Sequence, residues 1–319
     1  MFALRGLAVS LSIFALLYAG LSVFVRTTWL RFSVLAAGRF ARQQANLLFA
    51  LRIAPLVIAA VITLVVVVPS FLLLEPRAVN EPLGGASLPL SLCGFALIVA
   101  GVWNASTAWG RATRAIARWS SAASAIDAGR TGSSREVPVL RSAVAPPLTV
   151  AGVLRPTVWL SLAAEVVLNQ SELNAALKHE CVHIRHWDNF RKLLLRFAGF
   201  PGMAGLENAW SEASEMAADD AAVSSASEAL DLASAVIKLS RLTLAEPMVE
   251  LTTALVQTPA ESVNARIARL IAWPERQHTS SISLLPPFAL GAAAFIVALA
   301  FSYGDLLVGM HAATEWLVR

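Results

Sequence analysis

Four uncharged apolar runs, at about 6–25, 53–74, 88–109 and 284–303, constrain this chain more than any other feature. Each is close to the ~20 residues a helix needs to cross the bilayer core, where no water satisfies a free backbone N–H or C=O. The runs predict four transmembrane helices. Composition agrees, because the 319 residues are 57% hydrophobic and 14% charged, against about a quarter charged in an ordinary soluble domain. That balance excludes both a purely soluble protein and a disordered one. The first run follows Arg5 as a signal-peptide core would, but it exceeds the usual ~7–15 residues and lacks a cleavage pattern. Cys93 and Cys181 make no disulfide framework and no paired-thiol metal motif, so nothing here indicates secretion.

The formal charge of +4 is a topology signal. Segment 110–283 is balanced in acids and bases, which argues against direct nucleic-acid binding, and the excess comes from Arg26, Arg31, Arg39, Arg42 and Arg52. The loop 26–52 that carries them has no acid. Loop 75–87 has Arg77 against Glu75 and Glu81, and the third run is followed by Arg111, Arg114 and Arg118. Positive loops stay inside. The first and third loops are therefore expected in the cytoplasm of a multi-pass protein of the cell membrane, with both termini outside. The resulting division is three spans within 1–109, a cytoplasmic domain over 110–283, a fourth span at 284–303 and a short extracytoplasmic tail at 304–319.

The segment between the third and fourth spans is long enough for one compact domain. It begins as a helix expected to continue over about 111–130, until Gly129 and the turn at Gly132. Short β-like runs follow at Val137–Leu140, Leu148–Ala151 and Thr157–Leu160, separated by Pro146-Pro147 and Arg155-Pro156. Helical periodicity runs from an N-cap at Ser171 to about Phe190, and helix-like sequence dominates to about Trp273. Residues 193–206, interrupted by Arg196, Pro201 and three glycines, read as a short buried or membrane-apposed segment. The fold class is α+β, mostly α.

Chemistry is concentrated in His179-Glu180-Cys181-Val182-His183. On a helix the two histidines stack on one face about 6 Å apart along the axis, with Glu180 beside them. This is the zinc-peptidase pattern, in which two imidazoles hold the ion and the glutamate is the general base. A third protein ligand is needed. His186 shares the face, but three histidines spread over ~10.5 Å of straight helix cannot converge on one ion. His278 and His311 lie near or beyond the last span. Glu215 and Asp219, at i, i+4 spacing, suit better: Glu215 as ligand, Asp219 orienting a histidine through its second ring nitrogen. Glu212, one turn earlier, is the rival ligand. Arg266 and His186 are candidate oxyanion or substrate donors.

These residues carry a resemblance. The block Val144-Ala-Pro-Pro-Leu-Thr-Val-Ala-Gly-Val-Leu-Arg-Pro-Thr-Val-Trp-Leu-Ser, then Ser171-Glu-Leu, then His179 to His183 with Asp188-Asn189, then Glu215-Met-Ala-Ala-Asp219, resembles the BlaR/MecR family of membrane-embedded zinc peptidases. The four-span order, with a gluzincin-like zinc peptidase domain between spans three and four, resembles it too. The resemblance implies one Zn2+ held by His179, His183 and Glu215, Glu180 as general base, and a cytoplasmic protein substrate such as a BlaI/MecI-type transcriptional repressor. Two departures stand out. Ala218 precedes Asp219 where cysteine is expected in many relatives, and about 16 residues follow the fourth span where antibiotic-sensing members carry a penicillin-binding domain. A stimulus is then expected through the membrane helices, loop 75–87 or a separate sensor subunit.

Two other readings compete. One is a housekeeping membrane protease of the HtpX or CAAX-prenyl-protease type, which shares the motif logic but differs in span order. The other is a non-catalytic zinc-binding signalling scaffold, which would need ligands but no Glu180. For a peptidase, the runs near Leu148–Ala151 or Thr157–Leu160 are candidate strands for pairing with an extended substrate.

Overall fold

The computed structural model describes residues 2–36, 40–76, 84–125, 138–242, 251–254, 260–273 and 302–315. It is a mostly helical α+β chain with a small mixed sheet, divided into two compact units. The first comprises residues 1–31, 51–101 and 279–319, and the second 32–50 and 102–278.

Helices α1 (Phe2–Ala36), α2 (Ala41–Ile62), α3 (Val68–Leu74) and α4 (Ser87–Ser120) account for the first three apolar runs. Three stretches, Phe2–Arg31, Ala41–Leu74 and Ser87–Ser120, are long and apolar enough to cross a membrane, and they mark a membrane protein. Leu16, Phe24, Leu64, Leu92 and Phe95 expose their side chains on them, as lipid-facing residues do. The expected span at 284–303 falls, except for its last two residues, outside the described residues. The stretch 304–319, expected to be a tail, is helical over its described residues 304–315.

Local chemistry explains how this first unit packs. Pro69 has no N–H for the Val65 carbonyl. The chain widens there into a π-helical turn, Thr63–Val67, with the Val68 N–H donating to the Thr63 oxygen. The Tyr303 hydroxyl donates to the released Val65 carbonyl at 2.7 Å. Where α1 meets α4, a Cβ on Gly94 would come within 2.3 Å of the Leu11 carbonyl oxygen, so only glycine lets the backbones approach this closely. Arg5 and Glu75, both nearly buried, pair at 3.1 Å.

The second unit holds strands β1 (Ala123–Ala125), β2 (Val139–Ser142), β3 (Leu148–Ala151), β4 (Thr157–Ser161) and β5 (Thr252–Ala254) in the order β1-β2-β4-β3-β5. The β2 to β4 pairing is parallel and the others antiparallel. Period-2 alternation sends Leu148, Val150, Val158 and Leu160 to one face. There they pack on α6 (Gln170–Arg185) and α9 (Ala226–Leu242) through Leu173, Leu177, Ala233 and Val236. Trp159 points to the other face and meets Trp119 edge-on, with ring centroids 5.7 Å apart. The remaining described helices of the unit are α5 (Leu162–Val167), α7 (Asp188–Phe197), α8 (Ala204–Ala222) and α10 (Ala260–Ile271).

Several sequence expectations are corrected here. Helix α4 stops at Ser120 rather than continuing to Gly129, because Ala123 to Ala125 pair with β2. Helix α6 is capped by Asn169, not Ser171: the Asn169 side chain accepts from the Glu172 N–H and the Glu172 carboxylate accepts from the Asn169 N–H. The helix expected to reach Phe190 breaks after Arg185. Strand β5 lies inside a stretch read as helical. Strands β3 and β4, the candidates for pairing with a substrate, are both interior, β4 between β2 and β3, and β3 between β4 and β5. Their ladders are already used.

Candidate metal centre

Helix α6 carries His179, Glu180 and His183 on its buried side, and α8, which packs against it, buries Glu215 and Asp219. His179, His183 and Glu215 form a buried group that could hold a metal ion. The two Nε2 atoms face each other at 3.0 Å. Glu215 Oε2 lies 3.4 Å from His179 Nε2 and Oε1 lies 3.5 Å from His183 Nε2. A tetrahedral ion with ligand bonds of ~2.0–2.2 Å sets its donors about 3.3 Å apart. The triangle therefore has the size and donor chemistry of a divalent transition-metal site. Glu212 is half-buried and is not part of this group.

Each histidine has a carboxylate on its second ring nitrogen. Asp219 Oδ1 sits 2.9 Å from His179 Nδ1. Asp188 Oδ2 sits 2.7 Å from His183 Nδ1 and also accepts from Ser214 Oγ at 2.9 Å. The Asp188 hydrogen bond leaves His183 Nε2 free to ligate, and Asp219 sets its charge beside His179 Nδ1. Asp188 had no assigned role in the sequence, because it lies beyond the end of α6. It reaches back only because Trp187 adopts the left-handed conformation, φ 57 and ψ 35, and turns the chain into α7. Asn189 then ties α7 to the sheet, donating from Nδ2 to the carbonyls of Gly152 at 3.0 Å and Val150 at 3.3 Å. Gly152, at φ +101, accommodates that strand end where a Cβ would strike the Arg155 carbonyl.

Arg266, a candidate oxyanion or substrate donor in the sequence, lies against Asp219 and Glu215. From α10 its Nε and Nη2 donate to Asp219 at 2.8 and 2.7 Å, and Nη1 lies 3.0 Å from Glu215 Oε2. His186 is the C-cap of α6 and lies outside the ligand group; burial and then the Arg42 charge push it down to about 4, so it is neutral at neutral pH. Lys192, which the sequence did not single out, donates from Nζ to the Thr252 carbonyl of β5 at 2.6 Å. Its charge acts on Glu215, Asp188 and Glu180.

Glu180 is wholly buried, and neither of its carboxylate oxygens has a hydrogen-bond partner among the described residues. Burial pushes its carboxyl up to about 7, against the opposing pull of His183 and His179. Burial alone would lower His179, but its contacts with Asp219 and Glu215 outweigh that and push it up to about 9. Glu215 goes the other way: burial raises it, and the His183 and Arg266 charges carry it below the usual carboxylate range. A cavity of about 380 Å³ adjoins the site, lined by His183 and Asp188 together with Val153, Leu154, Trp187 and Phe190.

The chain matches no protein-family model, and no curated protein is significantly similar to it in sequence.

Proposed function

We propose that this protein is a zinc-dependent endopeptidase of the cell membrane, similar in kind to the BlaR/MecR peptidases, that cleaves a cytoplasmic protein. The observation that carries this reading is Glu180: a buried carboxylate with two unpartnered oxygens, on the same helix as His179 and His183 and beside Glu215. A scaffold that kept metal for folding would need the three ligands and gain nothing from burying a fourth, unpartnered acid.

Two imidazoles and one carboxylate suit zinc, which when bound there supplies a Lewis acid that polarises a carbonyl and acidifies water. The chain's own residues do the rest. Glu180 takes the proton of the attacking water on its carboxylate and passes it to the leaving amine nitrogen. Asp219 and Asp188 hold the two imidazoles in orientation. The apolar cavity beside His183 has room for a substrate side chain next to the scissile bond.

The arginine-rich loop 26–52 and Arg111, Arg114 and Arg118 support a cytoplasmic catalytic domain with both termini outside. A soluble regulator, with a BlaI/MecI-type repressor as the candidate, then has access to the site, and the stimulus arrives through the membrane helices or a separate sensor subunit. The deciding experiment compares cytoplasmic proteomes of cells carrying the native protein or Glu180→Gln. A cytoplasmic protein cleaved only with the native form is expected; cleavage confined to extracellular proteins would sink both substrate and topology.

A further inference from the structure

We propose that the exposed face made by the turn between β3 and β4 and by the start of α7, with Leu154, Trp187 and Phe190 at its centre and Arg155 and Arg185 beside them, docks on the bilayer surface and binds anionic phospholipid headgroups. The inference goes beyond the peptidase reading and needs only that the apolar stretches span a bilayer. Leu154, Trp187 and Phe190 are 70%, 58% and 39% exposed. They sit together: all three line the cavity beside His183, and the Trp187 and Phe190 ring centroids are 6.4 Å apart. Such a cluster of large apolar side chains in water marks a contact surface. Arg155 and Arg185 are exposed, and among the described residues neither pairs with an acid. Asp188, the acid of this stretch, is buried against His183.

Two contacts point to a bilayer rather than a soluble protein as the partner. Arg191, next to Phe190, lies over the Phe49 ring, 5.0 Å from its centroid. Phe49 belongs to the stretch Ala41–Leu74 and stands about 6 Å of helix rise before the apolar run that begins at 53. Val153, next to Leu154, and Leu193 of α7 pack with Ala108 and Ala112 of α4, where the third apolar run ends and Arg111, Arg114 and Arg118 begin. Both anchor points therefore lie at the arginine-rich end of a stretch long and apolar enough to cross a membrane. Trp103 and Trp109, exposed at that end of α4, are placed as interfacial tryptophans are. The headgroup layer is about 5–7 Å thick on each side of a bilayer, so a face held at this level lies against it. Aromatic rings partition there with their apolar bodies inward, and arginines reach the phosphates from buried stems. Each arginine near an anionic surface favours docking about fivefold.

The test uses the full chain in nanodiscs of phosphatidylcholine, with or without phosphatidylglycerol, and needs no substrate. With Cys93 and Cys181 replaced by serine, a nitroxide spin label is attached at Leu154→Cys, at Phe190→Cys or, as a reference in the apolar part of α4, at Leu92→Cys. Collision with oxygen, which concentrates in lipid, is compared with collision with a water-soluble nickel chelate. Labels at 154 and 190 are expected to be shielded from the chelate, more so with phosphatidylglycerol. Arg155→Gln with Arg185→Gln is expected to lower the ratio of docked to undocked protein about 25-fold in the anionic discs. Hydrogen exchange over 187–191 in the unlabelled chain, slower with phosphatidylglycerol, carries the test if a labelled variant does not assemble. Labels at 154 and 190 open to the chelate, with the label at 92 shielded, would overturn the proposal and leave the face to a soluble partner. Shielding that ignores both phosphatidylglycerol and the two arginines would overturn the anionic-headgroup assignment. A label at 92 open to the chelate would sink the membrane reading as well, whereas a protein that docks but cleaves nothing refutes the peptidase reading alone.

Discussion

Asp188 Oδ2 lies 2.7 Å from His183 Nδ1, although the two residues belong to different helices separated by a left-handed turn at Trp187. The contact joins the end of α6 to the start of α7 and sets which nitrogen of His183 faces the metal site. Asp188→Ala is expected to weaken zinc binding about 10–100-fold while the fold is retained. Chelator competition on the purified variant checks this, and native affinity would show that His183 needs no such partner.

Trp187 itself is 58% exposed, so its backbone conformation rather than its burial matters. An L-residue in the left-handed region costs roughly 1–2 kcal/mol, and a β-branched side chain costs more. Trp187→Gly should leave zinc affinity and melting temperature near native, whereas Trp187→Val should lower both. Equal behaviour of the two variants in thermal denaturation and metal titration would remove the turn from the account.

Glu215 and Glu212 are both within one turn of each other on α8, yet only Glu215 joins the histidines. Zinc content after Glu215→Ala should fall sharply, and after Glu212→Ala it should stay at the native level. Metal analysis by mass spectrometry decides between them.

The raised His179 pKa, about 9, means that a proton occupies the metal-free site at neutral pH. On the proposed zinc reading the ion displaces it, so apparent affinity should rise with pH up to about 9, by about tenfold per unit, with roughly one proton released per ion from this residue. Calorimetry in buffers of different ionisation enthalpy counts the protons. An affinity independent of pH below that point would contradict the geometry around His179.

As the proposed general base, Glu180 would work only when ionised. Its carboxyl stands at about 7 in the metal-free protein, and a bound cation favours the ionised form and lowers that value. Activity of the zinc-loaded protein should therefore be lost as pH falls through a limb lying below 7, and be fully present above it. Glu180→Gln should keep its zinc and lose activity at every pH. A pH profile of kcat/KM that climbed toward acid would rule out Glu180 as base.

Much of this protein was legible in its sequence because the relevant signals are local. A bilayer demands long apolar helices, so the runs at 6–25, 53–74 and 88–109 had one physical solution, and all three lie in long helices. The i, i+4 spacing of His179 and His183, and of Glu215 and Asp219, places each pair on one helix face whatever the rest of the chain does. What the sequence could not decide depends on partners distant in the chain. Three residues, Thr252 to Ala254, carry too little pattern to announce a strand, and become one only because β3 offers them a ladder. Asp188 meets His183 only because Trp187 turns left-handed, and Arg266 meets Asp219 across 47 positions only because α10 folds onto α8. Local periodicity chooses which face of a helix is buried; which charges meet there is set by packing between elements, and that lies in the tertiary structure alone.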